Sequence, residues 1–419
     1  MKHWIVALPL YSAALAAQPL SLPEALRMGD AHSPRLAAQR HAITSASEQT
    51  AAAGRLPDPR LRFGIENLLV SGPDKFRDDR EPMTQKALGV MQEFPNSAKR
   101  AARSQRAARA QDVERANLTS QRAILHRDIA AAWLELHYAE RGRQALERLI
   151  ATLSTQSDLA ATALARGRLS AAESLMLRGA LEQARERLLE QDRLIARARI
   201  NLAVLIGETD RPLAAPPDVS RLEPSRDVLL KRITDHAHLR VFDVRETLAR
   251  ADLDVARAGR RPDWGLEVTY GQRSPYFDNM LSVMVSVDLP WQRARVQDRE
   301  IAAKLAEVEQ SRAMREDARR MHAAEMRGFL ADYDAATARI ERYLKVLIPL
   351  ARERYEAAFA AYRGGRGELN AVLEASRGVA DTELALVAID AERAKAWANL
   401  TYLYTQEDEH DAHGMEVKP

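Results

Sequence analysis

Two hydrophobic rhythms divide this chain. In 58–69, Leu61, Phe63 and Ile65 alternate with Arg62, Gly64 and Glu66, a period of two that predicts a strand with one apolar and one polar face. A second strand at 85–94 carries Leu88 and Val90 on one face, after a charged stretch at 70–84 that reads as a long exposed loop. The same arrangement recurs later and more sharply. Trp264, Leu266, Val268 and Tyr270 alternate with Gly265, Glu267, Thr269 and Gly271, and Leu281, Val283, Val285, Val287 and Leu289 alternate with Ser282, Met284, Ser286 and Asp288. Elsewhere the period is helical. From 96 to 165, Leu118, Leu125, Ala132, Ala139, Leu146 and Leu153 recur every seven residues, with Ile129, Leu136 and Ile150 on the companion position. A helix of that length spans roughly 100 Å at about 1.5 Å per residue. A returning helix is predicted at 171–205, with Leu181, Leu188, Ile195 and Leu202 in the same spacing.

The pattern is written twice. Shifting the chain by 205 residues superposes Asp30 on Asp235, Ala53-Gly54-Arg55 on Ala258-Gly259-Arg260, and Pro57-Asp58 on Pro262-Asp263. The division that follows has a first repeat at 17–210 with hairpin 58–94, and a linker at 211–226 rich in Pro. A second repeat at 227–405 with hairpin 263–289 precedes a polar tail at 406–419. The first repeat opens on Ser21-Leu22-Pro23-Glu24, a capping box; a helix to Met28, a break at 29–34 and a helix to Ala53 are predicted. In the second repeat one long helix is expected over 291–362, a break at Gly364-Gly365-Arg366-Gly367, and a return helix over 369–404.

Composition excludes several alternatives. Aromatic residues make up 5% of the chain and charged residues 29%, with Arg and Lys interleaved with Glu and Asp at a net charge of +3, so the charge solvates helix faces and no nucleic-acid stripe forms. Residues 1–16 read as a secretory signal: Lys2, an apolar run, then Ala14-Leu15-Ala16 as cleavage site. The cysteine count is zero, which excludes disulfides, thiolate metal sites and a lipidated N-terminal Cys. No later apolar run is long enough for a transmembrane helix, so a membrane could be crossed only by strands. Strands of about ten residues fit a membrane barrel, although the pattern alone fits a half-buried sheet on helices equally well. Four strands cannot close a barrel with a lumen, and lipid does not tolerate open edges, so a membrane-spanning reading requires an oligomer.

With these features the chain resembles the TolC family of outer-membrane efflux ducts. The resemblance rests on the duplicated architecture, the Gly-x-x-Pro-Asp motifs at Gly54 and Gly259, the strand exits Phe94-Pro95 and Leu289-Pro290, and the helical turns around Ala165-Arg166-Gly167-Arg168-Leu169 and Tyr362-Arg363-Gly364-Gly365. It implies a mainly α fold with a small β part: two tandem repeats, a long α-helical barrel, and four strands per chain contributed to a shared trimeric twelve-stranded transmembrane β-barrel. It implies a homotrimer in the outer membrane of a Gram-negative bacterium, in contact with outer-membrane lipid, working with a periplasmic adaptor (membrane fusion protein) and an inner-membrane RND pump. Leu56-Pro57-Asp58-Pro59, Phe63-Gly64-Ile65-Glu66-Asn67, Gln92-Glu93-Phe94-Pro95 and Lys99-Arg100 look most like the heavy-metal branch, the CzcC and CusC type, which implies heavy-metal cations as cargo; a duct for drugs or other small organic molecules is the alternative.

By that resemblance the helical turns form a periplasmic tip holding the gate, with Gly167 and Gly365 at the reversals. Tyr362, Glu173 and a neighbouring Arg363 or Arg366 form a closing latch, and Glu374 a carboxylate ring at the constriction that favours cations. Only the tail, with His410 and His413 among acidic residues, gathers weak metal ligands, and no cofactor is implied. The chain holds no G-x-S-x-G, no P-loop and no H-E-x-x-H, so catalysis is not expected. A soluble periplasmic coiled-coil adaptor or scaffold is the competing class.

Overall fold

The computed structural model describes residues 18–165, 169–207, 210–231 and 236–403. The proposed signal at 1–16, Gly167, and the tail at 406–419 with His410 and His413 lie outside the described residues. Nine α-helices and four strands are described: α1 Leu22–His32, α2 Pro34–Ala53, β1 Arg60–Glu66, β2 Gln85–Phe94, α3 Ser97–Ala165, α4 Ala171–Ile206, α5 Arg226–Lys231, α6 Ala237–Ala258, β3 Asp263–Gln272, β4 Met280–Asp288, α7 Gln297–Arg342, α8 Ile348–Arg363 and α9 Leu369–Leu403.

Three expectations change. The break at 29–34 shrinks to Ser33, and Gly29 lies inside α1, where a Cβ would collide with the side chain of Ile129. Gly29 is there for close helix packing. Trp291 does not open a helix; 291–296 is a run of turns, and α7 begins at Gln297. The long helix is then interrupted at Tyr343–Leu347 by one π-helical turn, closed by the Ile348 N–H on the Tyr343 carbonyl. Pro349 supplies the reason, since its ring removes the N–H that an unbroken α-helix would return to Lys345.

The chain folds as two compact units that cut across the sequence repeats. One draws on the described residues of Met1–Leu36, Gln121–His236 and His322–Pro419, the other on Ala37–Ser120 and Ala237–Met321. In the first unit the heptad positions Leu125, Ala132, Leu146 and Leu153 are buried, while Leu118, which falls to the second unit, is half-buried. Trp133 is fully enclosed and donates its indole N–H to the Leu20 carbonyl at 3.1 Å. The Pro-rich 211–226 stretch is pinned here: Leu20 and Leu213 form a parallel bridge, Arg211 grips Glu24 through two bonds of 2.7 and 3.0 Å, and Val219 accepts from the Tyr333 hydroxyl.

In the second unit the two hairpins join. They form one antiparallel sheet in the order β1-β2-β3-β4, with Leu88 opposite Tyr270, Val90 opposite Val268 and Phe94 opposite Trp264 across the central pair. Beneath it α6 and α7 share a charged core. Glu246 is 1% exposed and meets Arg312 at 3.1 Å and Arg315 at 2.5 Å, with Arg250 bonded to the same carboxylate. Burial pushes the Glu246 carboxyl up, but the bond to Arg312 and the charges of Arg315 and Arg250 outweigh it and hold the group below the usual range.

Candidate functional site

The sheet is the first candidate surface. Its register gathers the branched aliphatic and aromatic side chains on one face, which also carries Lys86, Gln92 and Gln272. One face carries Leu61, Phe63, Leu88, Val90, Trp264, Leu266, Val268, Tyr270, Leu281, Val283, Val285 and Val287, and no helix covers it: Phe63 is 83% exposed, Leu281 69% and the central Val268 still 39%. Aromatic residues mark its ends, the adjacent Phe94 and Trp264 at one and Tyr270 at the other. A continuous exposed apolar face of this kind marks a surface that meets lipid or another protein.

The opposite face is polar. Arg62 reaches over β2 to Glu267 at 3.1 Å, and also meets Glu66. The crossing is open because Gly89 lies between them in the ladder, and a Cβ there would stand 2.5 Å from the Thr269 hydroxyl. Apolar outside, polar inside and nine or ten residues in three of the four strands are the attributes of a membrane barrel wall. Among the described residues the outer edges of β1 and β4 have no partner strand.

Both ends of the sheet are locked. Asp263 accepts from the Asn96 backbone N–H at 2.8 Å and from the Lys99 ammonium at 2.5 Å, while the Asn96 side chain caps α3 through the Lys99 N–H. Asn96 thus welds the first hairpin's exit to the second hairpin's start, a role its sequence position does not announce. At the far end the first loop covers 67–84 and the second only 273–279, and Arg273 ties them by donating to the Pro82 carbonyl at 3.0 Å.

The second candidate surface is the pair of helical turns in the first unit. Ser170 and Glu173 form a complete capping box at the start of α4, with Glu173 accepting from the Ser170 N–H at 3.0 Å and hydroxyl at 2.7 Å. The other turn closes with Gly365 at φ +70°, a left-handed position that favours glycine. Gly367 is held close as well, since a Cβ would stand 3.0 Å from the Tyr362 backbone nitrogen. The structure brings Tyr362 and Glu173 into one neighbourhood: the half-buried Tyr362 ring packs on the core of Leu149, Leu153, Leu177, Leu369 and Leu373. Burial first and the Glu173 charge second push its phenol above the ordinary value. No hydrogen bond joins the two among the described residues, because Glu173 is engaged in its cap. Arg363 lies over the Phe359 ring at 5.9 Å, and Arg366 is exposed, donating only its backbone N–H, to Ala361. Glu374 is exposed and accepts from Asn370 at 3.1 Å.

A carboxylate the sequence reading passed over ties these helices together. Glu383 on α9 accepts from Arg148 of α3 at 2.8 Å and Arg352 of α8 at 2.9 Å. Burial raises its pKa, and the two guanidinium bonds more than reverse that. A single acidic position in an arginine-rich helix gives no signal until its partners are known. Among the described residues no group of three His, Asp or Glu side chains is placed to hold a metal ion, and no helix is long and apolar enough to cross a membrane.

Residues 233–404 match the family model of the outer membrane efflux protein. That match falls within the second repeat, and no curated protein matches the chain. The fold itself is TolC-like over nearly the whole length. VceC from Vibrio cholerae aligns with a TM-score of 0.74 at 17% identity over 92% of this chain and 97% of its own. CusC aligns at 0.78 and 14% identity, covering 92% of each chain. The Campylobacter jejuni CmeC outer membrane channel aligns at 0.74 and 12% identity, over 93% of this chain and 88% of its own.

Proposed function

We propose that this chain is one protomer of a homotrimeric outer-membrane duct, the exit channel of a tripartite RND-type efflux system. Three copies would supply twelve strands, each β4 edge pairing with the β1 edge of the next copy. A periplasmic adaptor and an inner-membrane pump would deliver cargo at the two-turn end. The observation that carries this reading is the four-stranded sheet with an uncovered apolar face, a polar opposite face and two unpartnered edges. In water such a sheet invites aggregation; in lipid, closed by symmetry, every edge is satisfied. A soluble coiled-coil scaffold has no use for that face. Fractionation separates the two: the duct stays with the membrane through high salt and leaves only in detergent, and release by salt alone would end the duct reading.

Heavy-metal cations are the cargo we propose, on the hairpin motifs shared with the heavy-metal branch. Deleting the gene is then expected to sensitise cells to transition-metal salts and leave resistance to organic drugs intact; the reverse pattern assigns the duct to drugs.

The gate belongs to the same proposal. Tyr362, with Arg363 or Arg366 and Glu173, would restrain the closed tip, with Gly167 and Gly365 at its reversals. Because Glu173 also caps α4, its truncation would damage the helix; Glu173→Gln keeps a capping-box partner and removes only the charge. The double variant Tyr362→Phe, Glu173→Gln is expected to raise single-channel conductance in planar bilayers, and an unchanged conductance would dismiss the latch. A threefold ring of exposed Glu374 carboxylates would favour cations. Glu374→Gln should therefore move the reversal potential in a salt gradient toward zero; an unmoved potential removes the ring from the account.

A further inference from the structure

The polar and apolar faces of the sheet are absorbed by the duct reading, but the segment that leaves β4 is not. Residues 289–295 fold as turns around an open hollow of about 590 Å³. Leu289 continues the apolar face after Val287 and is 63% exposed, and Trp291 is 87% exposed. Arg293 and Arg295 line the hollow with Gln292, and Arg299 is exposed one turn into α7. None of these three arginines forms an ion pair among the described residues. Their neighbour Arg260 does, with Asp298, and Lys99 occupies Asp263. Two carboxylates nearby also form no ion pair among the described residues: Asp288, at a polar-face position of the ladder, and the exposed Glu300 of α7.

We propose that this hollow binds the phosphate of an anionic phospholipid in the periplasmic leaflet of the outer membrane. The proposal rests on the duct reading, which puts the Phe94–Trp264 end of the sheet at the inner membrane surface. Two guanidiniums present a fork to phosphate oxygens. Trp291 adds to Phe94 and Trp264 the amphipathic ring that the headgroup region favours, and the acyl chains continue onto Leu289 and Val287. The charge is complementary, the apolar surface is continuous with the lipid-facing sheet, and the hollow opens between them. Such a contact fixes the depth of the proposed barrel from the periplasmic side.

The test is native mass spectrometry of the full-length protein extracted in neutral detergent, titrated with phosphatidylglycerol or phosphatidylcholine. Wild type is expected to retain phosphatidylglycerol in preference. Each of Arg293→Gln and Arg295→Gln should weaken that retention roughly fivefold, and the pair more than either. Millimolar inorganic phosphate should leave the lipid adduct in place, whereas displacement by phosphate would make the site one for the free anion and overturn the proposal. Unchanged retention in the double variant overturns it too, as does loss of the oligomer in that variant, which would assign the arginines to a second copy of this chain. A wild type that leaves the membrane with salt overturns the duct reading as well, whereas a detergent-requiring wild type with an unaffected double variant overturns the lipid site alone.

Discussion

Val268→Arg is expected to abolish assembly into the outer membrane. Val268 sits in the middle of β3, opposite Val90 and Val283, so its side chain occupies the centre of the apolar face on one of the two central strands. A guanidinium at the midplane of a barrel's lipid face costs about 2–4 kcal/mol, and a trimer would carry three. The matched control is Ser282→Arg. Ser282 lies opposite Thr269 on the polar face, where in the proposed barrel an added charge would face the lumen and alter conductance without touching lipid. Outer-membrane fractions and heat-modifiable migration on gels would be compared. Equal assembly of the two variants would mean that the apolar face does not meet lipid.

The second large effect is expected at Glu246. Its carboxylate, 1% exposed, is shared by Arg250, Arg312 and Arg315, and Asp243 holds Arg319 at 3.2 Å beside it. Glu246→Ala removes the carboxylate these guanidiniums share and leaves their like charges crowded between α6 and α7, with Glu309 still on Arg312 and Asp243 on Arg315. Because the arginines are partly exposed, the cost falls below the roughly 3–5 kcal/mol of a fully buried broken pair. Arg250→Ala should cost far less, since that side chain is half exposed. The denaturant midpoint of the helical circular dichroism in detergent reads the difference, and equal shifts for both variants would refute the buried-network account. The pH dependence has a fixed sign. A carboxyl whose folded pKa is lowered contributes stability above its unfolded value, and that stability is lost as pH falls through the folded one. The midpoint of Glu246→Ala should therefore converge on that of the wild type under strongly acidic conditions.

The elements were legible because each advertises its own period. Alternation placed the strands, the seven-residue spacing placed α3 and α4, and Gly and Pro placed the turns, all of which are local properties of backbone geometry. Where reading failed, a partner far away in sequence was responsible. Gly29 looks like a helix breaker until Ile129 is seen against it; nothing marks Asn96 until Asp263 is seen bonded to it. The resemblance assigns Glu173 to a latch, and its bonds to Ser170 form a local cap that would compete with such a contact.

Sequence by itself determined that this protein has two copies of one pattern, that its strands are two-faced, and that helices supply the rest, because periodicity and repetition need no knowledge of contacts. Only the tertiary structure decided that the hairpins share one sheet. β2 and β3 are separated by more than 160 residues, and nothing local specifies their pairing; the ladder from Lys86–Gln272 to Phe94–Trp264 does. That pairing brings the apolar faces into one uncovered surface and leaves two edges open among the described residues, and an open, apolar sheet in a helical chain is the physical reason for proposing that the protein sits in lipid with further copies of itself.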